Sequence, residues 1–175
     1  MASSLLDALG TDKVLSVAQV IRHYGMSESE AIAQGARAFV VSVSKTQNST
    51  EKLHHFVTPA RKRPLNDGSN VRHLTGVAEM RYLLGATHDA WVSEADKRHA
   101  GNEPDGVWFK PEGDVAIEYD AGAYSPNQIL DKLIAFQTSY SGQIWGSPSK
   151  RRVTHIRALA ANLEPDLQVL YAPWF

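Results

Sequence analysis

Apolar residues recur along this chain with two periods, and the change from one to the other outlines its elements. Over "VLSVAQVIRHYGMSESEAIAQGARAFV" the spacing is helical, with Val17, Val20 and Ile21 on one face and Ala31, Ala33, Ala36 and Ala38 further on. Ser16 suits a first helix N-cap and Gly25 its end, and Ser27 with Glu30 spells a capping box for a second helix. "AFVVSVSK" and "KLHHFVTP", joined by "TQNST", then read as two strands of a hairpin. "TPARKRPLNDGSN" is loop chemistry, rich in proline and Asn-Asp-Gly. "VRHLTGVAEMRYLLG" returns to helical spacing through Val77, Met80, Leu83 and Leu84, with Gly85 as its stop. "DAWVS" reads as a short strand, "EADKRHAGNE" as a polar loop, and "DGVWF", "KPEG", "DVAIEYD" as strand, turn and strand. "SPNQILDKLIAFQTSY" is a helix capped by Ser125 with Pro126 in its first turn. "QIWGS", "PSKRRVTHIRALAANL" and "LQVLYA" follow as strand, helix and strand.

Helix, turn, helix and hairpin is the order of a winged helix-turn-helix, a DNA-binding motif, and this is the expectation for residues 1–63. Lys45 and Lys52 fall on its wing, and Arg61, Lys62 and Arg63 follow it, so all five are candidate phosphate contacts. Glu28 and Glu30 open the would-be recognition helix, where they favour the helix dipole but not a phosphate. Residues 64–175 form the second expected domain, a mixed sheet flanked by helices. The fold class is therefore α/β, with an α+β organisation overall. Lys150, Arg151 and Arg152 crowd the first turn of a helix, where they oppose the dipole, which favours a phosphate contact over a purely structural role.

Composition narrows the chemistry. Net charge is −1 over 175 residues, so only local clusters of cations can argue for nucleic acid. With no cysteine, a disulfide framework, a thiolate zinc site and a Cys nucleophile are excluded, and a reducing cytoplasm is the expected setting. "MASSLLDALGTDK" is not a signal peptide, and no stretch approaches the ~20 apolar residues of a membrane helix, so no membrane partner is expected. A nucleophile elbow, a phosphate-cradling glycine loop and a zinc-binding histidine pair on a helix are all absent. His54 and His55, adjacent on a strand, point to opposite faces and read as structural.

What remains is acidic. Glu118 and Asp120 end an apolar run, where carboxylates are unexpected. If "KPEG" is a four-residue turn, Phe109 pairs with Asp114, Val107 with Ala116 and Asp105 with Glu118. Opposed residues share a sheet face with Cβ atoms about 5 Å apart. Asp120, two residues beyond Glu118, shares it too, so three carboxylates are expected to converge. A divalent cation, a cationic neighbour such as Lys132 or Arg152, or solvation would relieve their repulsion.

"PDG", a turn and "IEYD" resemble the core of PD-(D/E)xK, or restriction-endonuclease-like, nucleases, whose α-β-β-β-α-β order matches residues 72–147. The winged helix-turn-helix followed by "HLTGVAEMRYLL", "PDGVWF", "IEYDAGAYSPNQILDKLIAFQ" and "IWGSPSKRRVTHIRAL" more specifically resembles the replication-relaxation family of plasmid and mobile-element proteins. The resemblance implies Asp105 and Glu118 as ligands of Mg²⁺ or Mn²⁺, with Glu79 as an accessory acid. It also exposes a departure: Asp120 stands where the nuclease pattern has lysine, and Lys132 or Gln137 on the next helix are the candidates to act in its place. Three functions follow: a DNA-binding protein of a mobile element with a nuclease-like domain, acting in replication, transfer or DNA processing; a non-enzymatic regulator whose α/β domain mediates homodimerisation; or an active metal-dependent DNA nuclease.

Overall fold

A computed structural model describes residues 4–93 and 103–175; the polar stretch read as a loop lies, except for Glu103, outside the described residues. The protein is mixed α/β, with a three-stranded antiparallel sheet and a five-stranded mixed sheet. The first 59 residues run α1 (Leu5–Asp12), β1 (Leu15–Ser16), α2 (Val17–Tyr24), α3 (Glu28–Ala33), β2 (Ala36–Ser44) and β3 (Glu51–Pro59). The caps lie where the sequence puts them. Ser16 and Ser27 each close a capping box, with Gln19 and Glu30 as partners, and Gly25 adopts the left-handed conformation at φ 65° that ends α2. Two elements are additional to the expected ones: α1, eight residues capped by Ser4, and β1, a two-residue strand that pairs with β3 and puts it in the centre of the sheet. α3 is shorter than its alanine pattern implies, because the chain enters β2 at Ala36.

The remainder is α4 (Gly68–Leu84), β4 (Trp91–Ser93), β5 (Gly106–Trp108), β6 (Val115–Tyr119), α5 (Pro126–Ser139), β7 (Gly142–Ser147), α6 (Lys150–Ala160) and β8 (Gln168–Tyr171). The strands lie in chain order, β4-β5-β6-β7-β8. β4, β5 and β6 pair antiparallel, while β6, β7 and β8 pair parallel through the crossover helices α5 and α6. In the hairpin, Val107 pairs with Ala116, the register expected from a four-residue turn.

α4 decides how the two sheets meet. Its residues Val71, Leu74, Val77 and Met80 share one core with Val43 and Phe56 of the first sheet and Val115, Ile117 and Tyr119 of the second. A helix between two sheets is buried on both sides, so Thr75, Glu79 and Arg81 are buried as well, while Leu83, expected to be apolar core, is half exposed. Approach is close enough that a Cβ at Gly76 would overlap the Tyr119 ring. A second core lies on the other face of the five-stranded sheet, where Ala116 and Trp145 meet Ile129, Leu133 and Phe136 of α5 and Val153 and Ile156 of α6.

Polar contacts reinforce the junction. Arg81 of α4 makes two hydrogen bonds to buried Asp12 of α1, at 2.8 and 2.7 Å. Arg72 donates to the Ser44 hydroxyl at 2.5 Å and to the Gln47 side chain at 2.9 Å, and the Gln47 amide donates to the Ala121 carbonyl at 2.9 Å. The hairpin loop is thereby held against the loop that follows β6.

Candidate active site

β6 is the middle strand of its sheet and all five of its residues are buried. Val115, Ile117 and Tyr119 serve the α4 side, so alternation turns Ala116 and Glu118 toward α5 and α6. Glu118 is thus a fully buried carboxyl beneath a helix. α5 begins at Pro126 under the Ser125 cap and brings Lys132 over the strand end. The Lys132 ammonium stands 2.9 Å from Glu118 Oε1 and donates to the Glu103 carbonyl at 3.1 Å. It is close enough to Glu118 for an ion pair, but neither Glu118 oxygen accepts a well-directed hydrogen bond. Burial pushes the Glu118 carboxyl up to about 8; the Asp105 charge adds to that, and Lys132 opposes it.

Asp105 stands immediately before β5, one step beyond the observed Gly106–Ile117 pair, where the register puts it opposite Glu118. Its Oδ2 accepts the Tyr119 amide at 2.8 Å, and its Oδ1 lies 2.5 Å from His73 Nε2 of α4. Burial favours the neutral imidazole, but the Asp105 charge and hydrogen bond outweigh it, so the His73 pKa is raised. The Tyr124 hydroxyl lies beside the Glu118 carboxylate, and burial followed by that charge disfavours its ionisation. Periodicity singled out neither residue. Tyr124 had a readable signal, because it immediately precedes the Ser125 cap and so lies at the Glu118 end of β6. For His73 no such signal exists: which turn of α4 reaches Asp105 depends on how the helix lies across the sheet.

Three expected members do not join. Asp120 keeps the parity of Glu118 but is engaged elsewhere: Oδ2 lies 2.6 Å from both Arg152 Nε and a terminal nitrogen of the same guanidinium. Its Oδ1 accepts the Gly122 and Ala123 amides at 2.7 and 3.2 Å, so it fixes the loop after β6 and does not converge with Asp105 and Glu118. Glu79 lies on the α4 side of the sheet, opposite to Glu118. There it meets Arg22 at 2.9 Å, His23 at 3.0 Å and Gln19 at 3.0 Å from α2, which hold its carboxyl low despite burial. Gln137, five residues past Lys132, is carried round α5 and donates to the Leu163 carbonyl at 3.0 Å. Among the described residues, no group of three or more His, Asp or Glu side chains could hold a metal ion.

The candidate phosphate contacts fall in three places. Lys45 and Lys52 flank the hairpin loop, where the Lys45 ammonium lies 3.9 Å from the Phe175 ring centre. Arg61, Lys62 and Arg63 follow the far end of β3, whose last residue lies about 23 Å from Lys52 at the usual rise per strand residue, so the two groups do not form one patch. At the start of α6, Arg152 is tied to Asp120 and to the Tyr124 carbonyl, Lys150 lies over the Tyr171 ring, and Arg151 is exposed. Glu28 of α3 is turned onto His55 of β3 at 2.8 Å, while His54, on the other face, packs against Trp174. Among the described residues, no helix is long and apolar enough to cross a membrane.

No protein-family model, curated protein or solved structure matches the chain.

Proposed function

We propose that this chain is a DNA-processing protein of the plasmid or mobile-element kind, with Asp105, Glu118 and Lys132 forming a Mg²⁺- or Mn²⁺-dependent site for phosphodiester cleavage. The observation that carries the reading is Lys132, whose ammonium reaches Glu118 from α5 at 2.9 Å. It supplies from the helix the cation that the nuclease pattern places two residues after the second acid, where this chain has Asp120. The helix-turn-helix order of the first unit supports the DNA reading.

The donor set fits a small, hard cation. Asp105, just before β5, stands opposite Glu118 of β6 at one sheet end, and both Glu118 oxygens are buried without a directed hydrogen bond. The ion, when bound, would supply Lewis acidity toward a phosphodiester and a lowered water pKa. The protein's own share is separate. Lys132 sets a fixed positive charge where negative charge grows on the phosphate. The Tyr119 amide and His73 fix the orientation of Asp105, and α5 covers Glu118 from solvent.

The test is incubation of supercoiled plasmid and of branched DNA with Mg²⁺ or Mn²⁺. The wild type nicks or linearises one of them, chelation stops it, and Glu118→Gln and Lys132→Met do not cut. No cutting, together with no change in melting temperature on adding either metal, removes the catalytic reading. A DNA-binding regulator that does not cut is the second reading, favoured by the engagement of Asp120 with Arg152, and it predicts DNA binding in the same samples without cleavage.

A further inference from the structure

A cleft of about 380 Å³ opens between the hairpin loop, the loop after β6 and the start of α6. That volume is at the lower end of those that hold small ligands, enough for a phosphate with part of its sugar. Its walls carry Asn48 and Gln47 from one side, the Gly122 backbone at the floor, and Arg151, Arg152 and His155 from the other. Every ionisable side chain lining it is a base. Asp120, next to the lining residue Ala121, is engaged by Arg152 and by two backbone amides. Arg151 is exposed, and among the described residues it has no acidic partner. Three separate elements frame the cleft, and two hydrogen bonds fix its shape: Gln47 N–H to the Ala121 carbonyl and Arg72 to the Gln47 side chain.

We infer that this cleft binds a backbone phosphate of a nucleic-acid strand and leads that strand to the Glu118 end of the sheet. The inference rests on the DNA-processing reading and deepens it. Gly122 is four residues from Glu118, which limits their separation to about 14 Å of extended chain. At roughly 3.4 Å of rise per nucleotide, about four nucleotides span that separation. Phosphate is the chemistry that suits the cleft: Arg151 offers a planar fork of donors, while Asn48 and His155 add further polar groups.

The experiment measures binding of a short labelled single strand and a short labelled duplex to the full chain across a range of salt. Arg151→Glu is expected to weaken binding at least about tenfold and to lower the salt slope by about one phosphate equivalent. Asn48→Glu, an exposed change on the opposite wall, is expected to act in the same direction, which guards against a folding defect in one variant. Binding within twofold of wild type for both variants, with the slope unchanged, overturns the assignment while leaving DNA binding in place. No binding by the wild type overturns the DNA reading with it. Thermal stabilisation of wild type, but not Arg151→Glu, by inorganic phosphate or a mononucleotide, without oligonucleotide binding, assigns the cleft to a small free anion and overturns the strand-guiding role.

Discussion

Glu118 on β6 and Lys132 on α5 meet at 2.9 Å beneath a helix, in surroundings that leave the carboxylate without a well-directed hydrogen bond. A buried ion pair of this kind gives little net stability but makes removal of one partner expensive. Its behaviour with pH therefore separates it from a surface contact.

With no metal present, stability should fall as pH rises between about 4.5 and about 8. In that window the folded chain keeps a proton on Glu118 that the unfolded chain has already released. Below it both states are protonated, and above it both are ionised. The decline should be on the order of a few kcal/mol. His73 acts in the same direction higher in the range, since its raised pKa gives stability present below 6.5 and lost as pH rises through the folded value. Urea unfolding at several pH values checks this. Glu118→Gln should flatten the lower part of the curve; an unchanged slope in that variant would place the titrating group elsewhere.

Lys132→Met should be tolerated at pH 6, where Glu118 can stay neutral, at about 1 kcal/mol or less. At pH 9 it leaves an unpaired buried carboxylate and should cost about 3–5 kcal/mol. Cleavage should fall at least about 100-fold at every pH where the variant is folded. A destabilisation independent of pH would mean that Lys132 acts through packing alone.

Glu79→Gln separates two roles for one acid. Its carboxyl binds Arg22, His23 and Gln19, so the substitution should cost about 2–3 kcal/mol in urea unfolding. The nicking rate per folded molecule should stay at the wild-type level, whereas an accessory acid at the metal would lower it by orders of magnitude.

Gly76→Ala should destabilise by about 1–3 kcal/mol, because the added methyl meets the Tyr119 ring on the α4 side of β6. Thermal melting measures this directly, and a neutral result would show that α4 can move away from the sheet.

Part of the site was readable in one dimension and part was not. Turn length and strand alternation bring Asp105 to Glu118, because a hairpin's register is a local property. Capping at Ser125 starts α5 where Lys132 can reach back over the strand. Glu79 was misplaced because its position on the helix carries no information about which side of α4 faces the sheet. With both sides buried, no polar stripe marks one. Asp120 keeps the expected parity but not the expected convergence; its partner Arg152 is one of the two cationic neighbours that the sequence offers, and Lys132, the other, is the partner of Glu118. β1 escaped because two residues are too short to show a period; α1 went unread although its Ser4 cap and its Leu5, Ala8 and Leu9 spacing are of the kind that marks the equally short α2. The fold class itself came through, as the order of helical and alternating segments survives such errors.

α4 has a consequence for how this chain can be taken apart. The linker at residues 60–67 invites a cut, yet Val71, Leu74, Val77 and Met80 just beyond it are shared by both sheets, and Asp12 meets its only described ion-pair partner, Arg81, across the same seam. A fragment beginning at residue 64 would carry a helix with one wet apolar flank and an orphaned guanidinium, and the complementary fragment an exposed sheet face. The halves are therefore not interchangeable modules, and a graft of either onto another protein must bring α4 and its covering surface with it.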